Sequence, residues 1–123
     1  MTVSKSEIKR VEKPWGYELI WAKTAKYVGK ILHINKGHKL SLQHHLTKEE
    51  TILIHKGKIE FQYESDEGKL ESTILSVGQA HNILPRRKHR MIALEDTDIF
   101  EVSTPELDDV VRFEDAYGRT DSN

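Results

Sequence analysis

The chain has 123 residues, no cysteine and a formal net charge of −1. It is therefore long enough for one domain with one core, and disulfide scaffolds, thiolate zinc modules and thiol catalysis are excluded. Its 19 Lys and Arg residues nearly balance its 20 Asp and Glu residues, which argues against a nucleic-acid-binding protein. No apolar run reaches the roughly 18–20 residues that span a bilayer, and the polar N-terminal segment lacks a signal core. We therefore expect a cytoplasmic protein that does not bind membranes.

Short strands separated by turns are predicted along most of the chain. In chain order they cover Tyr17–Trp21, Tyr27–Ile34, Leu40–His45, Thr51–Lys56, Lys58–Glu64, Glu71–Leu75, Ala80–Leu84, Arg90–Leu94 and Ile99–Ser103. Lys58–Glu64 shows the alternation of apolar and polar side chains that is typical of a half-buried strand. The first ten and the last four residues are expected to fray, and Glu106–Ala116 is expected to hold a helical turn. About nine short strands predict an all-β sandwich or barrel, with the double-sheet jelly roll as the natural candidate.

The segment from Gly37 to Glu50 carries the residue types of a metal site. Gln43 and His45 point to the same side of an extended strand. A four-residue turn followed by an antiparallel hairpin would bring Glu50 beside His45, and His89 could supply a fourth ligand from a distant strand. Imidazole nitrogens with carboxylate or amide oxygens suit zinc, manganese, cobalt, nickel or iron. The spacing alone is equally compatible with surface or core histidines that bind no metal.

For the other histidines we favour that ordinary interpretation, as surface residues or hydrogen-bonded core residues. It applies to His33, His38, His44 and His55, while His81 is undecided.

Three motifs carry a resemblance to a known family. Gly37 to Gly57 resembles the first cupin motif, with Gln43 in place of its first histidine. The stretch Leu-Ser-Leu-Gln-His-His, which ends at His45, is similar to the pattern of the mannose-6-phosphate isomerase-like cupins, the type II phosphomannose isomerase domain. Lys13–Glu18 resembles the N-terminal motif of that family, and Val111–Arg119 resembles its closing motif. The resemblance implies one cupin domain over residues 1–123, with a core of about 12–119, folded as a double-stranded β-helix (the cupin jelly-roll barrel).

The chain departs from the family pattern at two points. The second cupin motif, Pro-x-Gly-x-x-His, is represented by Pro85–His89, which lacks the glycine and is one residue shorter. Many family members also carry a nucleotidyltransferase domain before the cupin, for which 123 residues leave no room. We therefore expect no sugar-nucleotide synthesis from this chain alone.

The resemblance implies a metal-dependent enzyme that interconverts an aldose phosphate and a ketose phosphate, such as mannose 6-phosphate and fructose 6-phosphate. It implies one divalent metal ion, with zinc favoured among zinc, manganese, cobalt, nickel and iron, held by Gln43, His45, Glu50 and His89. The metal would polarise the sugar oxygens, a base would move a proton between C1 and C2, and a cationic group would hold the phosphate. The expected partners are a small sugar or sugar phosphate and a second copy of the chain in a homodimer.

Candidate catalytic residues follow from the positions of charged residues on the predicted strands. Glu101 shares a strand face with Ile99 and Ser103 and is the first candidate for the base, with an ion pair to Lys30 or an arginine as the alternative. Lys30 shares a face with two apolar residues, so it points inward to a phosphate or a carboxylate, unless it lies at the mouth of the barrel in solvent. By resemblance, Arg119 is a further candidate for holding the phosphate.

The basic loop after Pro85 is the predicted anion site, with a solvated charge cluster as the alternative. Its candidate substrate-binding residues are Arg86, Arg87 and Arg90. Trp15 is expected at the mouth of the barrel, with core packing as the alternative.

Other functions stay open at this point. The same metal chemistry would serve an isomerase or epimerase of another sugar, free or nucleotide-linked. A non-catalytic cupin that binds a metal or a sugar is a second alternative. An iron dioxygenase is a third, although Gln43 at the first ligand position argues against it.

Overall fold

The computed structural model describes residues 4–119, and these residues form strands and turns. None of them belongs to a helix long and apolar enough to cross a membrane. The strands are β1 (Lys9–Lys13), β2 (Gly16–Lys23), β3 (Val28–Ile34), β4 (Leu42–His44), β5 (Glu50–Lys56), β6 (Lys58–Glu64), β7 (Leu70–Ser76), β8 (Ala80–Ile83), β9 (His89–Ala93), β10 (Thr97–Ser103) and β11 (Val111–Glu114).

Two antiparallel sheets enclose the core. The six-stranded sheet has the order β1-β2-β3-β10-β5-β8, and the five-stranded sheet has the order β11-β4-β9-β6-β7. Both sheets supply side chains to a single buried apolar cluster, which includes Ile54 and Ile99 from one sheet and Phe61 and Met91 from the other. The predicted all-β, double-sheet class is therefore confirmed.

Inward-facing side chains divide the interior into an apolar end and a polar end. On β5, Ile54 and Ile52 are fully buried, and Glu50 takes the next inward position. The same change from apolar to polar occurs on β3, β9 and β10, where the inward rows include Lys30, His89 and Glu101. Since cross-strand neighbours point to the same face, the register that pairs Glu101 with both Lys30 and Ile52 brings these rows together. Buried charged groups are therefore concentrated at one end of the barrel.

The apolar end is closed by the tight turn between β5 and β6. Gly57 has a φ of +87° there, and an added Cβ would lie 2.4 Å from the carbonyl oxygen of Asp96. Glycine is required at this position for both reasons.

The structure corrects the sequence prediction at both ends of the chain. Lys9 and Arg10, expected to fray, belong to β1 and pair with β2. The predicted helical turn over Glu106–Ala116 is wrong, because turns over 105–108 lead into strand β11, which pairs with β4. Four residues are too few to show a periodicity, so pairing with a distant strand decides their conformation. The fraying predicted for residues 1–3 and 120–123 falls outside the described residues.

The predicted hairpin that would join His45 to Glu50 is also wrong. β4 pairs with β9 and β11, whereas β5 pairs with β8 and β10 in the opposite sheet. His45 and Glu50 therefore face each other across the barrel and are not neighbours within one sheet.

Candidate metal centre

Three buried ligand-type side chains meet at the polar end of the barrel. His45 follows β4, Glu50 opens β5 and His89 opens β9. His45 Nε2 lies 3.3 Å from Glu50 Oε2, and His89 Nε2 lies 3.7 Å from Glu50 Oε1. One ligand atom from each of the three residues can be chosen so that all lie within 4.8 Å of one another. Each of the three residues is less than a tenth exposed.

Backbone carbonyls fix the orientation of both imidazole rings. His45 Nδ1 lies 2.6 Å from the carbonyl oxygen of Asp109, and His89 Nδ1 lies 2.9 Å from that of Arg87. A carbonyl only accepts hydrogen bonds, so each Nδ1 donates, and in the neutral form of either ring the lone pair of Nε2 faces the centre. Neither buried Nε2 atom has a hydrogen-bond partner among the described residues. Unpartnered buried acceptors aimed at one point fit a bound divalent cation.

Protonation states at the centre also suit a metal. Burial lowers the pKa of His89 to about 4, against the raising effect of Glu50. Burial acts to raise the pKa of Glu50, but the close contact with His45 and the charge of Lys48 outweigh it, so that the pKa lies far below its usual range. At neutral pH Glu50 is therefore ionised and His89 is neutral, which are the forms that coordinate metals.

Gln43 lies beside this cluster. Its Cα pairs in register with that of His89, and its side chain lines the same cavity as His45 and Glu50. Its Oε1 accepts a hydrogen bond from Ser41 Oγ at 3.3 Å. All four predicted ligand residues thus come to one end of the barrel, with Glu50 contributed by the opposite sheet.

Lys48 is a buried residue of the centre that the sequence analysis did not identify. Its Nζ lies 3.0 Å from Glu50 Oε2 and 3.4 Å from Glu101 Oε2, at ion-pair distance. Burial acts to lower the pKa of Lys48, but Glu101 and Glu50 outweigh it, so the pKa lies above its usual range. Burial and the charge of Glu50 raise the pKa of Glu101, with Lys48 and Lys30 acting in the other direction. A lysine two residues before a predicted ligand glutamate was the available sequence signal.

Asp109, which the sequence analysis also missed, holds the turn that follows β4. Its carboxylate accepts hydrogen bonds from the backbone N–H groups of Leu46, Thr47 and Lys48 at 2.9, 2.7 and 2.9 Å. Burial acts to raise the pKa of Asp109, but these three bonds outweigh it and lower the pKa. Because its carbonyl also accepts from His45, one residue positions both the turn and the imidazole.

A cavity of about 270 Å³ opens from the cluster to solvent. Glu101 is buried in its wall, and its ion-pair partner is Lys48 rather than Lys30 or an arginine. Lys30 is buried in the same wall and lies 3.2 Å from Glu18 Oε2. Trp15 also lines the cavity and is only 3% exposed, so it belongs to the core as well.

Arg119 lies at the cavity wall but is held by a carboxylate. Its Nε lies 3.0 Å from Asp115 Oδ2, and a second guanidinium nitrogen lies 3.1 Å from Asp115 Oδ1. A bidentate pair of this kind fixes the guanidinium plane.

The arginines of the basic loop do not line this cavity, which corrects the predicted anion site. Arg87 bonds to Asp66 and to the carbonyl of Glu64. Arg90 is buried and donates to the carbonyls of Leu40 and Glu114. Arg86 is exposed, in a left-handed turn with a φ of 63°. Arg87 and Arg90 thus connect neighbouring segments of the chain, and none of the three side chains lines the cavity.

The remaining histidines have ordinary contacts. His33 pairs with Asp98, His38 bonds to Tyr117, and His44 packs edge-on against Phe113. His55 stacks on Phe100, and His81 packs against Phe61 and Tyr63.

A protein-family model and several solved structures match most of the chain. The sequence model of a protein family described as mannose-6-phosphate isomerase C-terminal matches residues 3–115. No curated protein sequence matches the chain.

Solved structures share the fold at low sequence identity. KdgF from Halomonas sp. has a TM-score of 0.67 and 20% identity, over 81% of this chain and 88% of KdgF. CapF, the capsular polysaccharide assembling protein from Staphylococcus aureus, has a TM-score of 0.67 and 17% identity, over 80% of this chain and 28% of CapF. Oxalate decarboxylase from Bacillus subtilis has a TM-score of 0.74 and 15% identity, over 89% of this chain and 31% of that protein. The chain thus spans less than a third of the last two proteins.

Proposed function

Because the chain belongs to the mannose-6-phosphate isomerase C-terminal family of sugar-isomerase-type cupin domains, we propose that it is a metal-dependent isomerase that interconverts aldose and ketose phosphates. The observation that carries this proposal is the buried cluster His45, Glu50 and His89, of which His45 and Glu50 line one cavity together with the carboxyl group of Glu101. The preferred reaction is mannose 6-phosphate to fructose 6-phosphate.

The proposed metal ligands are Gln43, His45, Glu50 and His89. Their nitrogen and oxygen donors suit zinc first, and also manganese, cobalt, nickel or iron. When bound, the metal would polarise the C1 and C2 oxygens of the open-chain sugar and stabilise negative charge on them. Since no sulfur ligand is available in a chain without cysteine, a catalytic or substrate-binding ion is favoured over a structural thiolate zinc.

Glu101 is the proposed general base. Its carboxylate would take the proton from C2 of the aldose and return it to C1, while the hydroxyl proton of O2 passes to O1, so that the carbonyl moves from C1 to C2 without net gain or loss of atoms. Burial and the charge of Glu50 raise the pKa of Glu101, which makes it a stronger base than an exposed carboxylate. Lys48, 3.4 Å from Glu101 Oε2, would orient this group and balance its charge.

The test is turnover by the zinc-loaded protein and by its Glu101→Gln variant. Wild type is expected to convert mannose 6-phosphate to fructose 6-phosphate and to exchange the C2 proton with solvent deuterium. Glu101→Gln is expected to lower kcat by about 10²–10⁴ while zinc content stays unchanged. His55→Gln, on the outer surface, serves as the control.

A panel of substrates separates this proposal from its alternatives. Turnover of a free or nucleotide-linked sugar, but of no sugar phosphate, would favour an isomerase or epimerase of another substrate class. Absence of turnover on every aldose tested, with zinc bound, would favour a non-catalytic binding cupin and would overturn the proposed reaction.

A further inference from the structure

Positive charge is concentrated on the wall of the cavity that opens from the His45, Glu50 and His89 cluster to solvent. Six cationic side chains line it against four carboxylates. The cations are Lys9, Lys13, Lys30, Lys48, Arg112 and Arg119, and the carboxylates are Glu18, Glu50, Glu101 and Asp108. A cavity with this excess attracts an anion.

Most of the buried charge is already paired. Lys48 lies between Glu50 and Glu101, Lys30 lies 3.2 Å from Glu18, and Arg119 is held by Asp115. Among the described residues, the ion-pair contact of Lys13 is a long one, 4.0 Å to Glu18 Oε1, and the Glu18 carboxylate also faces Lys30. Its side chain is 26% exposed, so it is accessible from the mouth.

Arg112 has a buried guanidinium nitrogen without an acceptor within residues 4–119. Its Nε is buried and has no hydrogen-bond partner there, and no carboxylate of that part of the chain lies within ion-pair distance of its guanidinium. A buried donor without an acceptor costs free energy. A ligand that supplies oxygen atoms at this point would remove that cost.

The strand register aims Arg112 at the metal centre. Its Cα on β11 is opposite that of Gln43 on β4, which is in turn opposite that of His89 on β9. Residues opposite each other in a sheet point to the same face, and adjacent strands lie about 4.8 Å apart. Arg112 is thus one strand from Gln43 and about two strand spacings from His89.

We propose that Arg112 and Lys13 form the subsite for the phosphate monoester of the substrate, with its carbonyl end at His45, Glu50 and His89. A guanidinium donates two parallel hydrogen bonds to phosphate, and a lysine adds a compact second charge against the dianion. The identity of the sugar at this subsite rests on the proposed function. The binding of phosphate by Arg112 and Lys13 does not depend on it.

The mutual repulsion of these cations supports a shared anion. Burial lowers the pKa of Lys13, and the nearby charges of Lys30, Arg119 and Arg112 act in the same direction, against Glu18. A phosphate among them would relieve that repulsion.

The experiment compares ligand binding by calorimetry in zinc-loaded protein. The probes are inorganic phosphate, mannose 6-phosphate, unphosphorylated mannose and a hexuronate. Wild type is expected to bind both phosphates and to bind mannose 6-phosphate more tightly than mannose. Tighter binding of the hexuronate than of the sugar phosphate would overturn the assignment to phosphate.

Variants locate the subsite. Arg112→Gln and Lys13→Gln are each expected to weaken phosphate binding about 10- to 100-fold while zinc content and thermal unfolding stay close to wild type. Arg86→Gln removes an exposed arginine outside the cavity and is expected to bind as wild type does. If Lys13→Gln and a folded Arg112→Gln both bind phosphate like wild type, or if Arg86→Gln alone loses it, the subsite is wrong.

The outcomes also separate this subsite from the proposed reaction. Binding of phosphate that depends on Arg112, with no turnover of any aldose phosphate, would support the subsite and contradict the isomerase. Turnover of mannose 6-phosphate that is unchanged in both variants would support the isomerase and contradict the subsite.

Discussion

His89 shows how burial alone can set the chemistry of a side chain. The imidazole is 1% exposed, and its Nδ1 is satisfied by the carbonyl of Arg87. A proton on Nε2 would have to be accommodated in a desolvated site that also faces Lys48. The folded protein therefore keeps this ring neutral well into the acidic range, which is the state that leaves Nε2 free as a ligand.

We expect the metal-free protein to lose stability as the pH falls from 6.5 to about 4. Burial lowers the pKa of His89 from 6.5 to about 4 in the folded state. Between these values the unfolded chain binds a proton at this position that the folded chain does not bind, so unfolding is favoured as pH decreases. The loss is about 3 kcal/mol, and urea unfolding in the presence of a chelator would measure it.

Two variants identify the responsible residue. His89→Gln should flatten the dependence of unfolding free energy on pH in this window, whatever its effect at neutral pH. His55→Gln, an exposed histidine stacked on Phe100, should keep the slope of wild type. An unchanged slope in His89→Gln would show that another group titrates.

At the level of elements, the turn between β4 and β5 is held by a distant segment. The turn crosses from one sheet to the other and carries Lys48 into the centre. Its three backbone N–H groups find their acceptor in Asp109, about sixty residues away in sequence. Because the same residue orients His45, the segment before β11 acts as a support for the proposed metal ligands.

Asp109→Ala is expected to weaken zinc binding about 10- to 100-fold. The substitution leaves the backbone acceptor of His45 in place but removes the acceptor of all three turn amides, so the turn loosens around the ligands. A zinc competition titration with a chromophoric chelator would measure the change, and a cobalt absorption spectrum would report altered geometry.

Asp115→Ala is the matched control for this change. It removes another carboxylate of the C-terminal region, one that holds Arg119 and not the metal turn. Zinc affinity equal to wild type is expected. Equal losses in both variants would mean that general destabilisation, and not the support of the turn, is responsible.

At the scale of the whole molecule, the two sheets share the candidate metal centre. His45 and His89 belong to the five-stranded sheet, and Glu50 belongs to the six-stranded sheet. An ion held by all three would link the sheets at their polar end, where the apolar cluster does not reach. The proposed metal would therefore contribute to folding as well as to catalysis.

Zinc is expected to raise the thermal unfolding temperature of the metal-free protein. A ligand that binds only the folded state stabilises it by about 2.7 kcal/mol at roughly 100 times its Kd. Differential scanning calorimetry with and without zinc would measure the shift. His45→Ala should show no shift, whereas His44→Ala, whose ring packs against Phe113, should respond as wild type does. A shift that persists in His45→Ala would place the zinc elsewhere.

The predicted homodimer and the predicted cytoplasmic location stay predictions. Light scattering at several protein concentrations would determine the first.

The sequence alone determined the all-β class, most of the strands and the family, because alternation and motif spacing are local properties of the chain. It also predicted Gln43, His45, Glu50 and His89 as metal ligands, and the structure brings these residues to one end of the barrel. It also excluded a thiolate site, since the chain has no cysteine.

The tertiary structure decided which strands became neighbours. The alternation of residues along a strand predicts which face of the sheet a side chain occupies, but it does not predict which strand becomes the neighbour of that strand. β4 meets β9 and β11 through pairings that span many residues, and Glu50 arrives from the other sheet. For the same reason Lys48, Asp109 and Arg112 were not identified from sequence. Their positions depend on turns and short strands without periodicity, and only the closed barrel brings Lys48 and Arg112 to one cavity and Asp109 to the turn beside it.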